Sequence, residues 1–259
     1  MTGPDDPAEA VAGGAPADLF APLDDHPAYR LVANAIEQKI VGRSLRPGDH
    51  LPSEADLARQ FGVNRSTVRE AIRELEIQGL IGRARGEKRL RVTRPEPQRI
   101  SSGVSRALAL HEVTFLELWE AMMALEPAAA EHAATRRTAE ELHALQRARA
   151  RFERQSGDTP AAVAAVVEFF SAVAAASANR VLALSQSPLN RLLAPTLTRM
   201  IDRVPQARAR IHGAQQRIIA AIESRRPADA RSWMEKHIRD FKRGYELAGI
   251  PLAGAIDCD

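Results

Sequence analysis

Apolar side chains recur at helical spacing through most of this chain, and the residues that interrupt the spacing are those that start and stop helices. Tyr29, Val32, Ile36 and Ile40 predict a first helix. Leu57, Ala58 and Phe61 predict a second of about two turns, facing inward, opened by Ser53 in the S-x-x-[DE] arrangement with Asp56 and closed by Gly62. Val68, Ala71, Ile72 and Leu75 predict a third, with Asn64 at its N-cap and Gly79 at its end. The pattern then shortens to two extended runs, 80–84 and 88–92, around Arg85-Gly86-Glu87, a turn whose glycine permits positive φ. Helices followed by a hairpin in this order predict a winged helix-turn-helix.

The polar side of the third helix carries Arg65, Arg69 and Arg73 at i, i+4 and i+8. Such a stripe is ordinarily a solvated face, and Glu70 and Glu74 are close enough in sequence to neutralise it. Its position decides otherwise. The stripe starts at the N-terminus of the second helix of the helix-turn-helix, the part that enters the DNA major groove, where an arginine makes a bidentate contact with guanine. Lys88 and Arg89 of the wing are expected along phosphates or in the adjacent minor groove. Residues 26–95 hold 14 Lys and Arg against 8 Asp and Glu, so this stretch is +6 and the remainder −3 in a chain of net charge +3. The basic excess sits where a DNA footprint needs it.

The stretch from Gly42 to Val92, with PGDHLPSEADLA, FGVNRSTVREAIRELEIQGLI and a glycine-turned wing, resembles the DNA-binding domain of the GntR family of bacterial transcription regulators. The resemblance implies that Asn64, Arg65, Ser66, Thr67 and Arg69 are recognition-helix contacts and Arg85 and Gly86 wing-tip contacts. Two positions depart from the family. Ala55 stands where members often have an arginine, and Glu87 where a neutral or basic residue is common, so the operator preferred by this chain is expected to differ.

After the wing, Thr93-Arg94-Pro95-Glu96-Pro97-Gln98 has two prolines and no period and predicts a linker, 95–103. From Val104 onward the patterns are helical, over 104–110, 112–135, 138–155, 160–177, 179–185, 188–203, 207–224 and 227–248, with no strand. The expected fold is therefore mostly α: a winged helix-turn-helix with a small β wing at 26–94, then an all-helical bundle at 104–250, with an acidic disordered tail at 1–25 and a C-terminal tail at 251–259. The segments LEPAAAEHAATRRTAEEL, EFFSAVAAASANRVLAL and AAIESRRPADARSWMEKHI resemble the FCD ligand-binding and dimerising domain of the FadR subfamily. Many such domains hold a divalent metal through an Asp and a His four residues apart and two later His.

In this chain the corresponding positions are Val166, Phe170, Gln215 and His237, so no tightly bound metal and no cofactor is expected. His212, one turn before Gln215, stands in only if the register shifts by a turn. Val166, Phe169 and Phe170 make the expected pocket greasy, which suits an acyl-type effector, with Arg199, Gln215 and His237 as candidates for its anionic head. A small polar effector and a core filled by side chains are the other two readings.

Cysteine usage and composition narrow the class further. Cys258 has no partner for an intrachain disulfide, which fits a reducing cytoplasm. Residues 1–25 have no Lys or Arg and do not read as a signal peptide. The apolar stretch 160–178 is alanine-rich and broken by Glu168, Ser171 and Ser177, so a buried core helix is expected and no membrane partner. An enzyme on this plan would need a mixed α/β half with a Schiff-base lysine, and the only lysines after the wing, Lys236 and Lys242, share one helix. A sequence-independent DNA coater fits poorly with Asn, Ser, Thr and Arg at the tip of a recognition helix. The expectation is a cytoplasmic homodimeric repressor that reads a palindromic operator in double-stranded DNA and is released by a small-molecule effector.

Overall fold

The computed structural model describes residues 27–256 except Arg85, Lys88 and Ser156, and omits the side chains of Gln98 and Arg99. The contacts divide the chain into two units that meet at Arg94 and Pro95. The expected tail 1–25 and Cys258 lie outside the described residues.

The first unit contains α1 (Ala28–Val41), α2 (Glu54–Phe61), α3 (Arg65–Gln78), β1 (Ile81–Gly82) and β2 (Arg91–Val92). Ser53 caps α2 by accepting the Asp56 N–H at 3.2 Å, and Gly62 ends it at φ 67°, in the left-handed region that glycine enters without strain. Val32, Ile36, Leu57, Val68, Ile72 and Leu75 interlock as one core with Ile81, Leu90 and Val92 from the wing. Phe61 departs from the expectation and is exposed. An eight-residue helix has one apolar turn to offer, which Leu57 and Ala58 fill, and Phe61 falls at its fraying end.

The wing is shorter than the two runs that predict it. Its strands pair antiparallel over two residues each, Ile81 with Val92 and Gly82 with Arg91. On the other side of β2, Gly48 and Leu51 donate backbone N–H groups to Val92 O and Leu90 O, and Val92 donates to Asp49 O, all at 2.9 Å. After the turn at Pro47-Gly48, His50 bridges Arg91 antiparallel and adds an edge to the wing, which the turn-like composition hides.

The second unit is helical: α4 (Pro97–Leu110), α5 (Phe115–Arg136), α6 (Ala139–Arg154), α7 (Thr159–Ala176), α8 (Arg180–Arg203), α9 (Ala207–Glu223) and α10 (Pro227–Leu247). Capping boxes open α5 (Thr114 with Glu117) and α6 (Thr138 with Glu141). Helices α5 and α10 run antiparallel: Phe115 stacks on Tyr245 with centroids 3.9 Å apart, Trp119 Nε1 donates to Ile238 O at 2.9 Å, and Arg231 pairs with Glu131 at 2.8 Å. Helix α7 is long and apolar enough to cross a membrane, but its large side chains Phe169, Phe170, Val166 and Val173 are covered by protein.

Three expectations are corrected here. Residues 97–103 are helix, not linker, because Pro97 occupies the first helical position, where no N–H is needed. The break expected between the patterns 179–185 and 188–203, at Ser187-Pro188, is absent and α8 is continuous through Pro188 and Pro195. The carbonyls those prolines leave without a donor belong to Leu184 and Arg191, both exposed residues at the surface of the helix. The stretch 251–256 is held against α5: Leu116 donates to Leu252 O at 3.0 Å, Ile256 to Val113 O at 2.9 Å, and Ile256 is buried.

Candidate functional site

Helix α3 buries Val68, Ala71, Ile72 and Leu75, and the same pitch turns Arg65, Ser66, Arg69 and Arg73 to solvent, with Thr67 half-buried at the margin. Asn64 holds the N-cap position but makes no side-chain capping bond, so its amide is left at the exposed tip of the helix beside Arg65 and Ser66. Among the described residues Arg65 and Arg73 have no ion-pair partner. Arg69 has one, and it is neither Glu70 nor Glu74. Its Nη2 and Nε lie 3.2 and 3.3 Å from Glu54 Oε2, on the first residue of α2.

The wing is tied to this helix from both strands. Arg83 pairs with Glu76 at 2.6 Å, and Thr93 Oγ1 donates to Gly79 O at 2.7 Å. Gly86, at φ 87°, forms the exposed turn, and Arg89 is exposed beyond it. Arg85 and Lys88 lie outside the described residues. An exposed helix face with guanidinium, hydroxyl and amide groups at one end, followed by a basic turn, can contact base edges and phosphates together.

The expected pocket residues of the helical unit are placed in its interior. Val166, Phe169, Phe170 and Gln215 are fully buried and His237 nearly so. The His237 ring stacks on Phe170 with centroids 5.7 Å apart and packs on Phe241 at 4.6 Å, while Phe169 meets Phe170 edge-on at 5.9 Å. The Arg210–Asp240 ion pair and the Arg217 guanidinium over the Trp233 ring set Gln215 opposite the Met234–His237 turn of α10. Arg199 does not join this layer. The Thr159–Asp202 and Asn190–Ser171 hydrogen bonds fix the register of α7 against α8, with Phe170 level with Arg191. Arg199 is two turns further on, about 12 Å along the axis.

A metal has little to bind here. Valine and phenylalanine occupy two of the four positions, and among the described residues no three His, Cys, Asp or Glu side chains cluster. His212 is directed elsewhere, with Nε2 3.6 Å from Glu153 on α6.

One residue of this layer escaped the reading of the sequence. Glu126 is fully buried on α5, opposite the same turn of α10 by the register of Trp119–Ile238 and Glu131–Arg231, and neither of its carboxylate oxygens has a partner. Burial away from any cation holds its carboxyl well above the usual range, and burial pushes the His237 imidazole down to about 3. His237 Nε2 and both polar atoms of the Gln215 side chain are likewise without partners. The signal for Glu126 was present: it continues the apolar stripe Leu118, Met122 at the next i+4 position.

Comparison with known proteins covers both units. The profile of "Bacterial regulatory proteins, gntR family" matches residues 28–88, and that of the FCD domain matches residues 117–240. The chain is 31% identical over 208 residues to the HTH-type transcriptional regulator LutR of Bacillus subtilis, covering 78% of this chain and 94% of that one. It is 29% identical over 226 residues to the HTH-type transcriptional repressor NanR of Cronobacter sakazakii, covering 84% and 85%. The solved structure of a Streptococcus agalactiae GntR is similar over 83% of this chain and 99% of its own, with a TM-score of 0.58 at 25% identity.

Proposed function

This chain belongs to the gntR family of bacterial regulatory proteins, and from that premise we propose that it is a cytoplasmic, homodimeric repressor of the FadR subfamily that leaves its operator when a small molecule occupies the helical unit. It is a DNA-binding transcription regulator with an FCD effector-binding domain, and its domains and relatives are those of regulators, not enzymes. The observation that carries the DNA reading is the exposed polar face of α3. In this reading Asn64, Arg65, Ser66, Thr67, Arg69 and Arg73 contact the major groove, and Arg85, Gly86, Lys88 and Arg89 of the wing contact phosphates and the neighbouring minor groove. One recognition helix discriminates modestly, and two copies on a palindrome multiply the selectivity. The similarity to a relative named a repressor supports repression over activation.

The effector reading rests on the interior layer of Val166, Phe169, Phe170, Gln215 and His237. Of the two effector classes, a small hydrogen-bonding molecule is favoured there over an acyl chain, because Glu126, Gln215 and His237 bring unpartnered polar atoms to otherwise hydrocarbon surroundings. The experiment is fluorescence anisotropy on DNA from the region upstream of the chain's own gene, with sedimentation of the free protein. Expected are a dimer, an affinity for one palindrome at least about a thousandfold above random DNA, and release on adding a small polar metabolite. Equal affinity for all DNA, or a monomer that binds as tightly, would overturn the reading.

A further inference from the structure

We propose that the groove between α4, α7 and α8 is a binding site for an amphipathic carboxylate, a molecule with one anionic head and an apolar body. The groove encloses about 860 Å³ and is distinct from the interior layer around His237, so the proposal stands independently of the effector reading. Its polar end is built where α4 is fastened to α8: Ser105 Oγ lies 2.7 Å from Ser101 O and 3.2 Å from Pro188 O. Arg106 and Arg191 line the groove within one turn of that contact, both exposed, and among the described residues neither has an ion-pair partner. Asn190, buried beside Arg191, donates Nδ2 to Ser171 Oγ at 3.3 Å, and its Oδ1 has no partner.

From this end the groove runs along α8 as far as Thr198, eight residues or about 12 Å. Its walls there are Val163, Ala164 and Val167 of α7 with Ala194 and Pro195 of α8. Among the described residues no Asp or Glu lines it, so two guanidinium groups dominate the field at one end and no described acid of the lining opposes them at the other. A cation is repelled from such a groove, and a small dianion leaves the hydrocarbon walls wet. An anion with an alkyl body satisfies both halves: the head takes the guanidinium N–H donors and the chain covers the valines and alanines.

The test is calorimetric titration of the full-length protein with hexanoate, heptanoate and octanoate below micelle-forming concentration, with octylamine as the reversed charge. Expected is an affinity that rises about fourfold per added methylene, no binding of octylamine, and at least a tenfold loss for octanoate in R106A/R191A. Ala164→Trp, at an exposed position of the apolar wall, narrows that half and leaves the head end intact, and is expected to weaken octanoate more than hexanoate. Both variants should melt without ligand within a few degrees of the parent. Octylamine binding as well as octanoate, an affinity independent of chain length, or undiminished binding by R106A/R191A overturns the proposal. So does a groove closed between two copies, which would appear as a dimer that R106A/R191A dissociates and octanoate leaves unchanged.

Discussion

Arg69 on the recognition helix is held by Glu54 at the start of α2, with two guanidinium nitrogens within 3.3 Å of one carboxylate oxygen. Both side chains are substantially exposed, so the pair contributes less than about 1 kcal/mol to folding. Its effect is on direction: it restricts the rotamers of an arginine aimed past the helix-turn-helix corner. Glu54→Gln is therefore expected to leave the melting temperature nearly unchanged and to lower operator affinity more than random-DNA affinity. Arg69→Ala should cost about 1–3 kcal/mol on the operator alone. Competition titrations with specific and random duplexes measure both, and a loss that is equal on the two duplexes would assign Arg69 to phosphate.

Arg65 and Arg89 are expected to separate in their salt dependence. In the proposed reading Arg65, at the tip of α3, contacts bases, so Arg65→Ala should relax discrimination at one operator position. Arg89, exposed past the wing turn, is proposed to contact phosphate, so Arg89→Ala should weaken all duplexes similarly and lower the salt slope by about one unit. Binding isotherms at four salt concentrations distinguish them.

How far the sequence discloses this molecule depends on the range of the interactions involved. The cap at Ser53, the apolar stripe of α3 and the left-handed glycines at 62 and 79 are short-range signals, and each appears in the structure where the spacing puts it. Glu54 and Arg69 are fifteen residues apart on different helices, and no periodicity joins them. The break expected before Pro188 is absent for a related reason. Whether a proline breaks a helix depends on who serves the orphaned carbonyl, and the exposure of Leu184 and Arg191 is a tertiary fact. Helical position within its own element is what groups Arg199 with Gln215 and His237, and the register of α7 on α8, which puts Arg199 two turns beyond the level of Phe170, is a long-range fact.

The interior layer carries two titrations of opposite sign. His237 is held neutral, with its value lowered from 6.5 to about 3, so the stability tied to it is present above pH 6.5 and is lost as the pH falls toward 3. Glu126 is held protonated, so its contribution is present below about pH 4.5 and is lost as the pH rises through its raised value. His237→Phe should flatten the acid side of the stability profile, and Glu126→Leu should raise stability most at neutral and alkaline pH. Thermal melts between pH 4 and pH 9 check both. An unchanged acid limb in the phenylalanine variant would show that His237 is not the group responsible.

Gly244 of α10 leaves room for Met200 of α8: a Cβ there would stand 2.4 Å from Met200 Sδ and 3.1 Å from its Cγ. Gly244→Ala is expected to destabilise the helical unit by about 1–3 kcal/mol through overpacking, even though alanine favours the helix. Met200→Ala alone should also destabilise by leaving a cavity, and the double variant should lose less than the sum of the two singles. Denaturant unfolding of all three variants measures it, and an additive double variant would mean that the clash is not what costs stability.

The bonds from Arg83 to Glu76 and from Thr93 to Gly79 brace the wing against the recognition helix on both of its strands. Two braces restrict the swing of the wing, so the spacing between α3 and the wing strands varies little. DNA must supply most of the adaptation. An operator whose helical twist or groove width misplaces the wing by an ångström has to deform to be bound, and its stiffness enters the affinity as directly as any base it displays. Sequences between the contacted bases, touched by no side chain, are thereby selected by how readily they bend to a braced gauge.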